Sequence, residues 1–232
     1  MDSLDIKKIL TKYEFFLGLL KLEPQLFKIK TVEMDLKGDL NPTTELNNLF
    51  FRDNNWLGFQ DFFILYLKKH EIKLKELCNQ NDWNGFKEGL KARLYRTQFG
   101  FLTEYHAFYV AKLVFGDERV IRNLKLDKEG VDFQILYLGN KYNIHIFVDT
   151  ERSWYYRNFK SRFKNVEQEE GIHINLPYSL KPGFIHSLRF LLNGFGVYQE
   201  DYLKYLKKEI DTHKIKNNNI NSLNKNGFIY TA

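Results

Sequence analysis

The sequence predicts an α/β (α+β) fold in which a small mixed sheet is flanked by helices and the N-terminal half is helical. Apolar residues recur at helical spacing through much of residues 1–116. Two apolar stretches within residues 130–150 surround a Gly-Asn pair, a pattern typical of a β-hairpin. Helical spacing returns after the hairpin, and helices on both sides of a short run of strands indicate a mixed architecture.

The length and composition suit one globular domain. With 232 residues and 44% hydrophobic content, we expect a single domain over residues 1–210, helical over 1–116 and sheet-containing over 117–210. Residues 211–232 are polar and rich in asparagine, which predicts a loosely ordered tail. The single cysteine, Cys78, excludes a disulfide framework and a cysteine zinc site, so we expect a cytoplasmic protein.

Charge and hydropathy narrow the partners. The first ten residues lack the basic start and apolar run of a secretory leader, and the apolar stretches are too short to span a membrane. A net charge of +6 permits binding to a polyanion such as nucleic acid. The same basicity is also expected from codon bias, since Lys, Asn, Ile, Phe and Tyr are all abundant.

The first half contains two clear helical stretches separated by a break. Residues 3–22 show helical spacing with Ser3 as the N-cap, and residues 58–78 show the same spacing. Residues 23–48 contain two prolines and a glycine, which predicts mostly loop or extended structure.

A further helical stretch runs from Asp82, a favourable cap, to Gly116, a favourable stop. It is either one long helix or two helices joined near Gly89. After Gly116 the sequence patterns predict both strands and helices. The predicted strands are 119–126, a hairpin over 130–150, and 172–180. The predicted helices are 150–165, 182–193 and 198–210.

The hairpin carries polar side chains where plain strands would carry apolar ones. A two-residue turn at 139–140 would place Gln134 opposite His145. Because side chains alternate along a strand, Asp132, His145 and Asp149 would then share one face, with Asp132 and His145 about 7–8 Å apart as diagonal neighbours. This face predicts a site for chemistry, and an ordinary hydrogen-bonded strand histidine is the alternative for His145.

Glu104 provides a second carboxylate near the sheet. On the predicted helix it lies on one stripe with Arg93, Thr97 and Gly100, among apolar residues. A carboxylate in such surroundings either pairs with a cationic side chain or helps to hold a cation. With Asp132, Glu104 would supply the oxygen ligands that Mg²⁺ prefers, with water and phosphate oxygens completing the octahedron.

Three stretches together resemble the TaqI-type restriction endonucleases in order and spacing: "IKTVEMDLKGDLNP", "GLKARLYRTQFGFLTEYHAFYVAKLVFG" and "GVDFQILYLGNKY". The resemblance covers residues 10 to 150. It implies a restriction-endonuclease-like core, a mixed sheet flanked by helices, acting on duplex DNA with Mg²⁺. It also implies a homodimer that cuts within the palindrome TCGA or a related site.

The resemblance also implies residue roles. In this fold a strand aspartate precedes, by about a dozen residues, an acidic or amide residue, then any residue, then lysine. Asp132 falls on the aspartate position and would bind the metal, assisted by Glu104. His145 falls on the acidic or amide position, as ligand or base, and Phe147 replaces the lysine. Phenylalanine cannot position or deprotonate water.

Three accounts of the missing lysine stay open. His145 could act as the base, since the unperturbed pKa of histidine is near 6.5. A cation could come from the following helix, where Lys160 and Lys164 share a face with Arg157. Alternatively, catalysis is lost and only DNA binding remains.

Basic residues interleaved with aromatic ones predict a surface that contacts phosphates, although a solvated basic face is the alternative. The predicted DNA-binding residues are Arg93, Arg96, Arg152, Arg157, Lys160 and Lys164. The implied function is that of a type II restriction endonuclease with a cognate DNA methyltransferase as its genetic partner. The alternatives are a catalytically degenerate DNA-binding protein of the same fold, and a protein that binds no DNA and whose basicity reflects codon bias.

Overall fold

A computed structural model of the chain describes residues 3–32, 36, 38–53, 55–78, 82–155, 170–180 and 187–212. The chain divides into two compact units. The sheet unit comprises Met1–Phe15, Thr103–Leu191 and Phe195–Ala232, and the helical unit comprises Phe16–Leu102 and Leu192–Gly194.

Helices dominate the first half of the chain, and most of the strands follow one another in the second half. The helices are α1 Ser3–Leu19, α2 Pro42–Asn47, α3 Phe59–Leu77, α4 Trp83–Phe115, α5 Leu124–Lys128 and α6 Glu200–Asp211. The strands are β1 Val120–Ile121, β2 Phe133–Tyr137, β3 Asn140–Val148, β4 Ile172–Tyr178, β5 Leu188–Phe190 and β6 Gly196–Tyr198. The predicted mixed fold, with a small sheet and a helical N-terminal half, is therefore confirmed.

The main sheet contains four strands in the order β1-β2-β3-β4. β2 pairs antiparallel with β1 and β3, whereas β3 pairs in parallel with β4. One face is apolar: Phe133, Ile144 and Ile174 are all fully buried, and Phe108 of α4 lies 6.2 Å from the Phe133 ring. Because it contains both antiparallel and parallel pairs, the sheet is mixed, as predicted.

The long helix α4 settles one of the open alternatives. It runs unbroken from Trp83 to Phe115, and Asp82 caps it by accepting a hydrogen bond from the Gly85 N–H at 2.9 Å. Gly89 is a point of close approach and not a break, because a Cβ there would lie 2.9 Å from Val32 Cγ1. The segment around Val32 packs against the helix backbone at this point.

The β2–β3 turn differs from the prediction by one position. The turn residues are Leu138 and Gly139, with φ of 50° and 75°, so that Gln134 pairs with Asn143 and not with His145. A tight hairpin turn of this kind needs positive φ at both central residues. The Gly139-Asn140 pair favoured a turn one position too late. The register shifts by two residues, which leaves each side chain on its predicted face.

Leu138→Asn is expected to stabilise the protein by about 1 kcal/mol, because asparagine tolerates positive φ far better than leucine. Little packing is lost, since Leu138 is 55% exposed. Urea denaturation measures the gain, and Lys141→Asn, in a strand conformation on the same hairpin, serves as the control that should give none. A Leu138→Asn protein no more stable than wild type would contradict the assigned turn.

The helix predicted over 182–193 is wrong in its described part. Residues 188–190 form β5, which pairs antiparallel with β6, and Leu191 N–H donates to the Phe195 carbonyl at 2.9 Å to close the hairpin. Gly194 in the connection adopts φ of 86°, a conformation that a helix does not use. The helical spacing of apolar residues in this stretch therefore does not correspond to a helix.

Two shorter stretches also differ from the prediction. Residues 23–48 contain α2, which Asn41 caps by accepting from the Thr43 N–H at 3.0 Å, with a proline in the first turn. The strand predicted over 119–126 shortens to β1, because Asn123 accepts from the Leu126 N–H at 3.0 Å and starts α5. In both cases an asparagine cap outweighs the surrounding pattern.

The remaining elements agree with the prediction. The helices at 3–22, 58–78 and 198–210 are confirmed as α1, α3 and α6, and the strand within 172–180 as β4. No helix in the described part of the chain has the length and apolar character needed to cross a bilayer.

The single domain over 1–210 stays a prediction. Of the predicted tail at 211–232, only residues 211 and 212 are described.

A buried histidine joins three elements of the sheet unit. His106 of α4 is fully buried, with Nε2 2.9 Å from Glu14 Oε1 of α1, and its Nδ1 accepts from the Tyr198 N–H of β6 at 3.1 Å. Because Nδ1 accepts, Nε2 carries the proton and donates to the carboxylate. The ring is therefore neutral, and burial lowers its pKa below the usual 6.5.

The free energy of unfolding is expected to fall as the pH drops below about 6.5. His106 takes up its proton more readily in the unfolded chain, so its contribution is complete above the unfolded pKa of 6.5 and is lost as the pH falls toward the lower folded value. Urea denaturation across this range measures the slope. His106→Gln, which cannot titrate, should show a shallower slope, and equal slopes would count against a neutral buried His106.

Candidate active site

The segment that presents Asp132 is fixed by the end of α5. Gly130 N–H donates to the Asp127 carbonyl at 3.0 Å, and Val131 N–H donates to the Leu126 carbonyl at 2.9 Å. This pair of bonds is a Schellman motif, with Gly130 at φ of 75° in the left-handed position. Asp132 therefore follows directly after a turn whose conformation is fixed by hydrogen bonds.

Asp132 is also held by β3. Its N–H donates to the Ile144 carbonyl at 3.0 Å, and its Oδ2 accepts a hydrogen bond from the Ile146 N–H. The carboxylate thus satisfies a main-chain donor of the neighbouring strand, and the sheet fixes its orientation.

Glu104 projects from α4 toward a buried arginine. Its Oε2 lies 3.7 Å from Arg122 Nη2, and the two side chains are 24% and 3% exposed. Arg122 comes directly after β1. The prediction that Glu104 either pairs with a cationic side chain or helps to hold a cation is thus met by an arginine in this structure.

Several carboxylates in this region share one electrostatic environment. Burial raises the pKa of Glu104 well above its usual value, the negative charge of Asp132 raises it further, and Arg122 opposes the rise. Burial also raises the pKa of Asp127, again opposed by Arg122. The pKa of Tyr178 rises through burial and then through the charges of Glu104 and Asp132. Asp132 and Glu104 therefore lie close enough to repel each other.

The donor set fits a hard divalent cation. Two carboxylates that disfavour each other's charge gain from a cation between them. Mg²⁺ commonly takes one or two protein carboxylates and fills its octahedron with water and phosphate oxygens. Among the described residues, no three His, Cys, Asp or Glu side chains form a group that could hold a metal ion. Binding of Mg²⁺ by Asp132 and Glu104 stays a prediction.

His145 is engaged on both sides of its ring. It is 4% exposed, with Nδ1 2.7 Å from the Gly130 carbonyl oxygen and Nε2 2.8 Å from Nδ1 of His173 on β4. A role as base or metal ligand stays a prediction, and either role would require one of these contacts to break.

Phe147, at the position where the resemblance implies a lysine, belongs to an aromatic pair. The Phe147 ring meets the Trp154 ring edge-on at 4.9 Å and 89°. Trp154 Nε1 donates to Asp149 Oδ1 at 2.7 Å, so Asp149 anchors this pair. Neither ring carries a positive charge, so this pair does not supply the charge of the implied lysine.

Two predicted DNA contacts lie in the helical unit and bind backbone. Arg96 Nη2 donates to the carbonyls of Phe27 at 2.7 Å and Ile29 at 2.8 Å. Arg93 Nη1 lies 3.3 Å from the Val32 carbonyl oxygen. These guanidinium groups therefore bind the backbone of residues 27–32. Their contact with DNA stays a prediction.

The basic stretch after β3 is described only at its start. Residues 151–155 are helical and Arg152 is exposed, in agreement with the predicted helix. Arg157, Lys160 and Lys164 lie outside the described residues, so their predicted roles remain predictions.

Three residues of this region were missed from the sequence. Arg122 and Asp127 gave no signal, because their charges act on Glu104 only in the folded chain. His173 did carry one: "IHI" occurs at 144–146 and again at 172–174, and the parallel β3–β4 register sets Asn143 beside His173.

The chain is similar in sequence to known proteins. The TaqI restriction endonuclease family matches residues 10–183, which extends the resemblance beyond residue 150. Type II restriction enzyme TaqI of Thermus aquaticus is 30% identical over 89% of this chain and 90% of its own length. A second type II restriction enzyme, from Thermus thermophilus, is also 30% identical over 89% of this chain and 90% of its own length. No solved structure matches.

Proposed function

We propose, because this chain belongs to the TaqI restriction endonuclease family, that it is a type II restriction endonuclease. It hydrolyses phosphodiester bonds of duplex DNA in a reaction that depends on Mg²⁺. The observation that supports this best is the anchoring of the Asp132 carboxylate by the Ile146 N–H at the Gly-Val-Asp segment. The negative charge of Asp132 also raises the pKa of Glu104, the second carboxylate of the proposed site.

Asp132 and Glu104 would hold the metal ion. A bound divalent ion would polarise a phosphate oxygen and lower the pKa of bound water. The protein's own contribution is geometric: the Schellman turn and the Ile146 N–H orient Asp132, while Arg122 balances the charge of Glu104. Water attacks phosphorus, the bond to the 3′ oxygen breaks, and the products are a 3′-hydroxyl and a 5′-phosphate.

The test is cleavage of duplex DNA by purified protein. Supercoiled plasmid and a linear duplex containing TCGA sites are incubated with Mg²⁺, Mn²⁺ or EDTA, and the fragment ends are sequenced. We expect discrete fragments with Mg²⁺ or Mn²⁺ and intact DNA with EDTA. Intact DNA under every metal would remove the enzyme proposal.

A second candidate is a DNA-binding protein of this fold that no longer cleaves. The aromatic pair of Phe147 and Trp154 favours it, because Phe147 stands where the resemblance implies a lysine. It predicts a mobility shift with duplex DNA, no cleavage, and equal binding by Asp132→Asn.

Lys160 remains a candidate replacement for the lysine charge, and Lys160→Ala with loss of cleavage and retained binding would assign it.

The remaining proposals follow from a restriction role. The target is TCGA or a related palindrome, read by a homodimer whose two-fold symmetry matches the site. A cognate methyltransferase would protect the host DNA, and both proteins would act in the cytoplasm. Fragment-end sequencing tests the target, and sedimentation of the protein–DNA complex tests the dimer.

A further inference from the structure

A continuous row of hydrogen bonds crosses the polar face of β2, β3 and β4. Gln134 Nε2 donates to Asn143 Oδ1 at 2.8 Å, and Asn143 Nδ2 lies 3.4 Å from His173 Nε2. His173 Nδ1 lies 2.8 Å from His145 Nε2, and His145 Nδ1 lies 2.7 Å from the Gly130 carbonyl oxygen. The two imidazole planes differ by only 10°. The row therefore connects the body of the sheet to the turn before Asp132.

When both imidazole rings are neutral, the Gly130 carbonyl fixes which group donates and which accepts in every hydrogen bond of the row. A carbonyl can only accept, so His145 Nδ1 carries a hydrogen and donates. In the neutral ring Nε2 of His145 then accepts, which makes His173 Nδ1 a donor and His173 Nε2 an acceptor. Asn143 supplies the donor that this last nitrogen requires and accepts from Gln134 with its oxygen. Each hydrogen bond of the row therefore joins one donor to one acceptor.

The same residues hold both anchors of Asp132. The His145 side chain fixes the Gly130 carbonyl, two residues before Asp132, while the next main-chain N–H, of Ile146, donates to the Asp132 carboxylate. A shift of the His145 ring would therefore disturb the turn and the carboxylate together. His173 holds that ring from its far side, through the bond to Nε2.

We infer that His173 is a positioning residue for the proposed nuclease, acting through His145 to hold the Gly130 turn and the Asp132 carboxylate in place. The inference rests on the proposed function. It assigns His145 a supporting role, in which both ring nitrogens are used to orient the aspartate. Partners that orient a metal-binding side chain contribute about 10–100-fold to affinity or activity in other proteins.

Two variants of His173 separate its two contacts. Asparagine can place a donor near the Nδ1 position and keep the bond to His145, whereas glutamine reaches the Nε2 position and keeps only the bond to Asn143. Alanine keeps neither. Ile174→Val, on the apolar face of the same strand, is the control for stability and costs about 0.5–1.5 kcal/mol without touching the row.

Two measurements are made on each variant: kcat and KM for duplex DNA, and hydrogen exchange of the Ile146 amide. We expect His173→Ala and His173→Gln to lower kcat by about 10–100-fold with KM little changed, and to speed Ile146 exchange by at least about tenfold. His173→Asn and Ile174→Val should keep kcat within about threefold of wild type.

Equal kcat in His173→Ala and wild type would overturn the inference, as would rescue by glutamine instead of asparagine. The two proposals fail separately. If wild-type protein cleaves no DNA, the proposed function is lost, and unchanged Ile146 exchange in His173→Ala is then sufficient to overturn the positioning role.

Discussion

Asp132→Asn is expected to lower the rate of DNA cleavage by at least about a thousandfold. Asparagine keeps an oxygen that can accept from the Ile146 N–H, so the strand contact survives. The negative charge is lost, and with it the proposed metal ligand. Removing that charge also removes its repulsion of Glu104, so the variant should be at least as stable as wild type.

The measurement is single-turnover cleavage of a linear duplex, with DNA binding followed in parallel by fluorescence anisotropy in Ca²⁺. Asp201→Asn, which removes the same charge from the exposed start of α6, is the control and should cleave normally. Cleavage by Asp132→Asn at the wild-type rate would remove Asp132 from the site. Weakened stability would instead show that its carboxylate is structural.

Much of the candidate site was predictable because it depends on local sequence. The Gly-Val-Asp segment places Asp132 at the start of a strand, and a period of two puts Asp132 and His145 on the polar side of their strands in any register that shifts by an even number. The misplaced turn therefore changed the pairing without changing the faces. Glu104 was predictable as the carboxylate on a helix stripe that apolar residues surround.

The partners of these residues were not predictable, because they come from distant segments. Arg122 and Asp127 reach the site only through the short strand β1 and the short helix α5, where an asparagine cap outweighs the strand pattern. The repeated Ile-His-Ile draws attention to His173, but its contact with His145 depends on the parallel pairing of β3 with β4, which the repeat does not specify. The hairpin of β5 and β6 was misread for a related reason: the buried residue Leu188 pairs with Tyr198, which lies outside the stretch of helical spacing at 182–193.

Arg122→Gln is expected to cost about 3 kcal/mol of unfolding free energy at neutral pH, because removal of one partner leaves a buried carboxylate without its counter-charge. The Arg122 side chain is 3% exposed, and it opposes the raised pKa of both Glu104 and Asp127. Adding Glu104→Gln to this variant should recover at least about half of the loss. Urea denaturation of the two single variants and the double variant measures the coupling.

Lys125→Gln provides the matched control for this cycle. Lys125 pairs with Glu129 at 3.8 Å but is 73% exposed, so its loss should cost less than about 0.5 kcal/mol. Mg²⁺ should stabilise Arg122→Gln more than wild type, since a divalent ion at Asp132 and Glu104 replaces the missing positive charge. An Arg122→Gln protein as stable as wild type, or one that Glu104→Gln fails to relieve, would show that Arg122 does not balance these carboxylates.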